Sequence, residues 1–346
     1  MRFGARAVGP GAPCFVIAEA GVNHNGDPEL AARLVEAAAV AGADAVKFQT
    51  FRAEGVASPS APKAGYQLET TSRTETQLEM LRRLELDGEA HVALKSLAEE
   101  RGLVFLSTPF DVSSVDLLDR LGVDAFKVAS PDLTNEPLLE EIGGRGRPVL
   151  LSTGLADLEE VERALTVLHA AGAADVVVLH CVSVYPAAAE DANLRAMATM
   201  GARLGCPIGY SDHTEGSEVA LAAVALGACV LEKHFTLDRT LPGPDHRASV
   251  EPDELARLVT AVRRVESSLG TGIKEPTEAE RRNAIAVRRS LAAAEDLYAG
   301  TVLTREMLIA LRPGSGIPPV RIEAVIGRRL RRDIAHSELL ALSDLE

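Results

Sequence analysis

Lysine is scarce in this 346-residue chain, six residues against thirty arginines, and three of the six stand inside apolar runs: Lys47 in AVKFQT, Lys127 in AFKVAS and Lys233 in LEKHFT. An ammonium group in such company is costly to bury unless an anion compensates. Lys47 and Lys127 together therefore point to a cationic pocket for a phosphate or carboxylate, although either alone could be a snorkelling or salt-bridged lysine. Lys233 alternates out of phase with Glu232 and His234 and is read as structural. His213 in YSDHT and His234 in EKHF end two apolar runs. Two imidazoles, with substrate oxygens and water completing the shell, suit a borderline divalent ion such as Mn2+, which polarises a carbonyl as a Lewis acid. Taken singly, each could equally be hydrogen-bonded structure. His24, His180 and His246 are weaker candidates, and His91, His169 and His336 read as helix-surface residues. Glu19 and Glu232 also end apolar runs, and Asp245 sits in the rigid Pro242-Gly243-Pro244-Asp245 turn. These three carboxylates are suited to proton transfer or to a substrate hydroxyl, or to pairing with a strand-end lysine.

Residues so scattered need a scaffold that gathers them. Short β-branched runs alternate along the chain with Ala/Leu/Glu/Arg-rich stretches of helical period, the signature of parallel strands covered by helices. Strands are expected at Phe15 to Ala18, Ala45 to Phe48, Val104 to Leu106 and Ala125 to Val128. Four more follow at Val149 to Leu151, Val176 to Leu179, Ile208 to Tyr210 and Val230 to Leu231. The helices expected after them are Pro28 to Ala41, an insertion containing Glu75 to Glu100, Val112 to Leu121, Glu136 to Ile142, Leu158 to Ala171, Asp191 to Leu204, Gly216 to Leu226 and Pro252 to Leu269. Eight such units read as a (β/α)8 barrel closing near residue 269, whose strand C-terminal ends converge on one mouth. Glu19, Lys47 with Gln49, Thr108, Lys127 with Ser130, Ser152, His180, Ser211 with His213, and Glu232 with His234 fall at those ends. Residues 270–289 read as a linker with at most a short helix from Glu278, and 290–346 as a tail too small to be more than marginal alone.

Composition narrows the partners. A net charge of −14, no Trp and twelve Phe plus Tyr argue against nucleic acid. The longest apolar stretch, Val219 to Leu231, is too short to span a bilayer, and the N-terminal residues lack a signal-peptide apolar region, so a cytoplasmic location is expected. Cys14, Cys181, Cys206 and Cys229 are widely spaced and read as small core residues.

The segments IAEAGVNHNGD, AGADAVKFQTF, FLSTPFD, LSTG, HCVSVYP, GYSDHT and EKHFTLDRTLPGPDH, in this order, closely resemble the sialic acid synthase family. The resemblance runs nearly end to end, because Arg312-Pro313-Gly314-Ser315-Gly316-Ile317 is similar to the RPG-x-GI segment of that family's C-terminal SAF (antifreeze-like, β-clip) domain. It implies a TIM barrel followed by a SAF domain and condensation of phosphoenolpyruvate with an N-acylated hexosamine, with C–O cleavage and release of phosphate. By matching positions, it implies that His213 and His234 hold Mn2+, or Mg2+ or Co2+. Lys47, Lys127, Ser130, Ser152, Thr108 and Ser211 would bind phosphoenolpyruvate, while Glu19 and Glu232 would serve beside the reacting carbons. Gln49, Ser183, Tyr185 and Asp245 would face the sugar, and Arg312 would reach in from the partner of a domain-swapped homodimer.

The chain departs from the family pattern twice. Ser183 stands where some members have Asn, and Pro131 stands where Gly is usual, in the loop carrying Ser130; Pro fixes φ and removes a donor there. The Lys63 to Leu86 segment looks more like the neuraminate and legionaminate branches than the pseudaminate branch. The reading taken is synthesis of N-acetylneuraminate from N-acetylmannosamine, with the N,N'-diacetyllegionaminate synthase, acting on 2,4-diacetamido-2,4,6-trideoxymannose, as the close alternative. A metal-dependent pyruvate aldolase and a non-enzymatic glycan- or ice-binding protein are the competing classes.

Overall fold

The structure is a computed structural model that describes every residue except Arg73, which lies within the Lys63 to Leu86 segment. The chain divides into two compact units, Met1–Gly270 and Thr271–Glu346. Eight parallel strands build the first: β1 (Phe15–Gly21), β2 (Ala45–Thr50), β3 (Val104–Pro109), β4 (Phe126–Val128), β5 (Val149–Ser152), β6 (Val176–Cys181), β7 (Ile208–Asp212) and β8 (Val230–His234). Their order is β3-β2-β1-β8-β7-β6-β5-β4, so the first strand pairs with the last and the sheet curls into a nearly closed barrel. The crossover helices are α1 (Pro28–Val40), α2 (Gly88–Glu100), α3 (Val112–Leu121), α4 (Glu136–Gly143), α5 (Leu158–Ala171), α6 (Arg195–Leu204), α7 (Glu218–Ala225) and α8 (Pro252–Leu269). Aspartates 27, 87, 111 and 157 cap α1, α2, α3 and α5 by accepting from first-turn amides.

Strand pleat explains the layering. Phe15, Ile17, Ala45, Val104, Leu106, Leu150, Val177, Leu179 and Val230 point inward and fill the lower barrel, where Phe3 closes the floor by meeting the Phe15 ring edge-on at 5.2 Å. Val16, Ala18, Val46, Phe105, Phe126, Leu151, Val178 and Leu231 point outward under the helices. Gly209 is inward as well; a β carbon there would stand 2.5 Å from Leu179 Cδ2 and 2.7 Å from Val230 O, so the packed interior admits only glycine.

Every expected barrel strand is present, but all except β4 extend further at the C-terminal end. The inward rows run Phe15, Ile17, Glu19; Ala45, Lys47, Gln49; Val230, Glu232, His234, so the polar residues lie within the strands rather than beyond them. The expected insertion resolves into short helices Ala53–Val56, Gly65–Thr70 and Gln77–Leu84 ahead of α2, and α6 starts four residues later than expected, after a 3-10 turn at Ala189–Asp191. His91 is not on a helix surface. It is fully buried, and its Nε2 lies 2.8 Å from Thr50 Oγ1, because that face of α2 packs on the end of β2.

In the second unit a helix, Glu278–Val287, precedes an antiparallel pair, Ser290–Ala293 with Leu308–Leu311. Its own core contains Leu291, Leu297, Leu303, Ile317, Leu330 and Ile334.

Candidate active site

A cavity of about 570 Å³ opens at the C-terminal ends of the strands. It is lined by Glu19, Lys47, Gln49, Thr108, Lys127, Ser130, Ser152, Ser183, Tyr185, Ser211, His213, Glu232, His234 and Asp245, so every barrel residue that the family resemblance places in the site converges here, whereas the weaker candidates His24, His180 and His246 do not line it. Arg312 is exposed on the C-terminal unit.

Lys47 is the hub. Its Nζ lies 2.8 Å from Glu19 Oε2, 3.0 Å from Thr108 Oγ1 and 3.8 Å from Glu232 Oε2. Lys127 Nζ approaches the other oxygen of Glu232 at 3.7 Å, and Ser211 Oγ donates to that oxygen at 2.8 Å. All four charged groups are buried, which makes their coupling strong. Burial alone would raise both carboxylates. For Glu19 it prevails over Lys47 and carries the group up to about 7. For Glu232, Lys127 and Lys47 with the Ser211 hydrogen bond outweigh burial and hold it down at about 2. Two carboxylates around one lysine thus differ in proton affinity, the arrangement that separates an acid from a fixed anion. Burial also lowers Lys127, whereas Glu19 and Glu232 more than offset it at Lys47, which is raised.

His213 and His234 face each other with ring centroids 5.3 Å apart. His213 Nδ1 lies 2.6 Å from Val182 O, which fixes the proton on Nδ1 and makes Nε2, 3.4 Å from Ser211 Oγ, the nitrogen that carries the lone pair. His234 Nδ1 is buried without a hydrogen-bond partner. Burial holds both rings below the ordinary imidazole range, His234 well below it with His213 adding to the effect, so both are neutral bases. Two neutral imidazoles, with His234 Nδ1 unpartnered, fit a divalent ion, although among the described residues no group of three or more His, Cys, Asp or Glu is gathered around one point.

The other walls are laid out by type. Gly21, at φ +54°, leaves open a spot 3.3 Å from Glu19 Oε1, 3.5 Å from Gln49 Nε2 and 3.7 Å from Asp245 Oδ2. Burial carries Asp245 up to about 6, against the pull of Lys47. Tyr185 packs against His213 at 4.2 Å and His234 at 5.5 Å, and Tyr66 of the Gly65–Thr70 helix covers it at 5.1 Å. On the opposite side, Gly154 N donates to Ser130 Oγ at 3.0 Å, and Ser183 Oγ is buried without a partner. Pro131 does not displace Ser130, because it sits in the first turn of a 3-10 helix, Ser130–Asp132, where proline is tolerated. Beyond Gly21 lies an apolar wall of Val22, Phe51, Met80 and Leu84, joined by Leu81 and Phe110.

Sequence reasoning missed Tyr66, this wall, and Cys181, whose Sγ lies 3.2 Å from Ser130 Oγ. Cys181 was legible, since it continues the inward row Val177, Leu179. Tyr66 and Met80 come from the insertion, where no strand period marks them. Lys63 is a further buried lysine. It braces the insertion through Thr71 Oγ1 at 2.9 Å and Glu75 Oε1 at 3.3 Å.

Among the described residues no helix is long and apolar enough to cross a membrane. Comparison with known proteins places these features in a family. N,N'-diacetyllegionaminic acid synthase of Campylobacter jejuni is 47% identical over 94% of this chain and 98% of its own length. The Legionella pneumophila protein of the same name is 45% identical over 99% and 98%. A crystal structure of N-acetylneuraminic acid (sialic acid) synthetase from Leptospira borgpetersenii superposes with a TM-score of 0.73 at 38% identity, covering 82% of this chain and 94% of that one. The NeuB family model matches residues 34–274 and the SAF domain model residues 288–346, so the chain belongs to the NeuB family and carries a C-terminal SAF domain.

Proposed function

We propose that the chain is a phosphoenolpyruvate-dependent N,N'-diacetyllegionaminate synthase, condensing phosphoenolpyruvate with 2,4-diacetamido-2,4,6-trideoxymannose. The observation that carries the reaction class is the buried Glu19–Lys47–Glu232–Lys127 array beside two neutral imidazoles at one barrel mouth. For the acceptor, this reading departs from the N-acetylmannosamine expected from the sequence. It is supported by relatives 47% and 45% identical that are named legionaminic acid synthases, against 38% for the neuraminic acid synthetase. The apolar wall of Val22, Phe51, Met80 and Leu84 supports it too, since it suits a methyl group better than a hydroxymethyl.

Lys47 and Lys127, with Thr108, Ser130, Ser152 and Ser211, hold the carboxylate and phosphate of phosphoenolpyruvate. Gln49, Ser183, Tyr185 and Asp245 orient the open-chain sugar, and Arg312 of the partner subunit in a domain-swapped dimer engages its acylamino group. His213 and His234 would hold a divalent ion, Mn2+ by their donor type with Mg2+ or Co2+ as substitutes, which when bound polarises the sugar aldehyde. The C3 carbon of phosphoenolpyruvate attacks the aldehyde carbon, and protonated Glu19 gives its proton to the oxygen that becomes a hydroxyl. The cationic C2 that results is stabilised by ionised Glu232, fixed between the two lysines. Water adds to C2 and returns a proton to Glu19; the C2–O bond then breaks, the departing phosphate takes the C2 hydroxyl proton, and the keto group forms.

Phosphoenolpyruvate labelled with oxygen-18 at the bridging position tests this directly. The label is expected in the released phosphate. Consumption of pyruvate with phosphoenolpyruvate left intact would establish the aldolase instead.

A further inference from the structure

One charged pair near the mouth takes no part in this chemistry. Lys233 and Asp212 face outward, in phase with Tyr210 and Leu231 rather than with the inward Ser211, Glu232 and His234, and both are about 1% exposed. Lys233 Nζ donates to Asp212 Oδ2 at 2.6 Å and to Thr214 O at 2.5 Å. The second oxygen of Asp212 accepts from Thr214 N at 3.0 Å and Thr214 Oγ1 at 2.8 Å. The residues immediately before and after His213 are therefore both held by the side chain that sits between Glu232 and His234.

The backbone shows why a side chain is needed. The β7–β8 ladder pairs Leu231 with Tyr210, Glu232 with Ser211 and Lys233 with Asp212, and it ends one residue short of His213 and His234. His234 is fixed from its other side by pairing with Glu19 of β1, and His213 by the Val182 and Ala187 contacts of the segment after β6. Between the two backbone segments that carry the imidazoles, the Lys233–Asp212–Thr214 bonds continue the tie where the ladder stops. For stability alone, a buried ion pair gives little over apolar side chains of the same volume. Its value lies in fixing geometry.

We propose that Lys233 is a positioning residue that sets the spacing of His213 and His234 for a shared divalent ion. This rests on reading the two histidines as a ligand pair. The test is Mn2+ binding to the full-length protein, followed by the electron paramagnetic resonance signal of free Mn2+, with steady-state kinetics alongside. Lys233→Met is expected to weaken Mn2+ binding about 10-fold, the low end of the cost of losing an outer partner of a metal ligand, because Lys233 bonds to Asp212 and Thr214 beside His213 rather than to either imidazole. The KM for phosphoenolpyruvate should stay unchanged, and Lys233→Arg should restore part of the affinity. If Lys233→Met does not fold, the double variant Lys233→Met/Asp212→Asn removes both charges while keeping an acceptor for Thr214, and the same loss is expected. Mn2+ binding as tight as wild type in the folded variant would overturn the role of Lys233 alone. A wild-type protein that binds no Mn2+ would overturn the ligand pair itself.

Discussion

The two ends of the barrel treat buried charge in opposite ways. At the floor, Asp44 is saturated: Oδ1 meets Arg6 at 2.5 Å, while Oδ2 accepts from Arg263 at 2.6 Å and Val16 N at 2.8 Å. At the mouth, Ser183 Oγ and His234 Nδ1 are buried without a hydrogen-bond partner, and Glu232 Oε2 is no closer than 3.8 Å to the Lys47 ammonium. Unmet buried polar groups cost free energy, so a fold that tolerates them at one end and completes them at the other separates stability from function. The floor is finished by the chain itself; the mouth is finished by what binds there.

That contrast can be broken from either side. The largest effect is expected for His234→Ala, which should lower kcat about 10³-fold or more, the several kcal/mol that carbonyl polarisation supplies. Circular dichroism should show Tm within about 2 °C of wild type, as for a change of about 1 kcal/mol or less. Lys47→Ala should raise the KM for phosphoenolpyruvate by about 10²-fold, the cost of a charge-assisted contact to an anion. An unchanged KM would remove Lys47 from the phosphate site. At the floor the expectation reverses. Asp44→Ala should cost about 1–3 kcal/mol in urea unfolding, chiefly because the buried Val16 N–H loses its acceptor, and leave kcat/KM within about twofold.

A smaller effect sharpens the picture between the two ends. Buried His24 and His246 are held down to about 3 and about 4 by loss of hydration, and His91 is lowered for the same reason. In the unfolded chain they titrate near the ordinary ~6.5, so below that pH the unfolded state binds more protons and stability falls as pH falls. It is fully present above about 6.5 and declines toward 4, by up to about 1.4 kcal/mol per pH unit for each proton taken up. Urea midpoints measured from pH 7.5 to pH 5 should fall, and His91→Gln should flatten the slope.

Much of this was legible in the sequence, and the exceptions have physical causes. The eight strands are legible because their first outward residues are apolar, but the sequence pattern ends them early wherever an inward polar residue breaks the run, as at Glu19, Gln49 and Glu232. Those interruptions line the candidate site. The floor hairpin Arg2–Phe3 with Arg6–Ala7 went unread because two-residue strands carry no period. His91 was misplaced because helical spacing does not reveal that α2 turns that face onto Thr50. The apolar wall beside Gln49 was invisible because its members, Val22, Phe51, Met80 and Leu84, come from three separate segments that only the fold brings together.

The acceptor panel is the most direct test of the whole account. Phosphate release should be measured with Mn2+, phosphoenolpyruvate and, side by side, 2,4-diacetamido-2,4,6-trideoxymannose and N-acetylmannosamine, with each product weighed by mass spectrometry. The wall predicts kcat/KM about 10²-fold higher for the trideoxy sugar, the limit of what an apolar surface discriminates against an added hydroxyl. Equal or better turnover of N-acetylmannosamine would contradict the acceptor assignment, and no phosphate with either sugar would contradict the synthase.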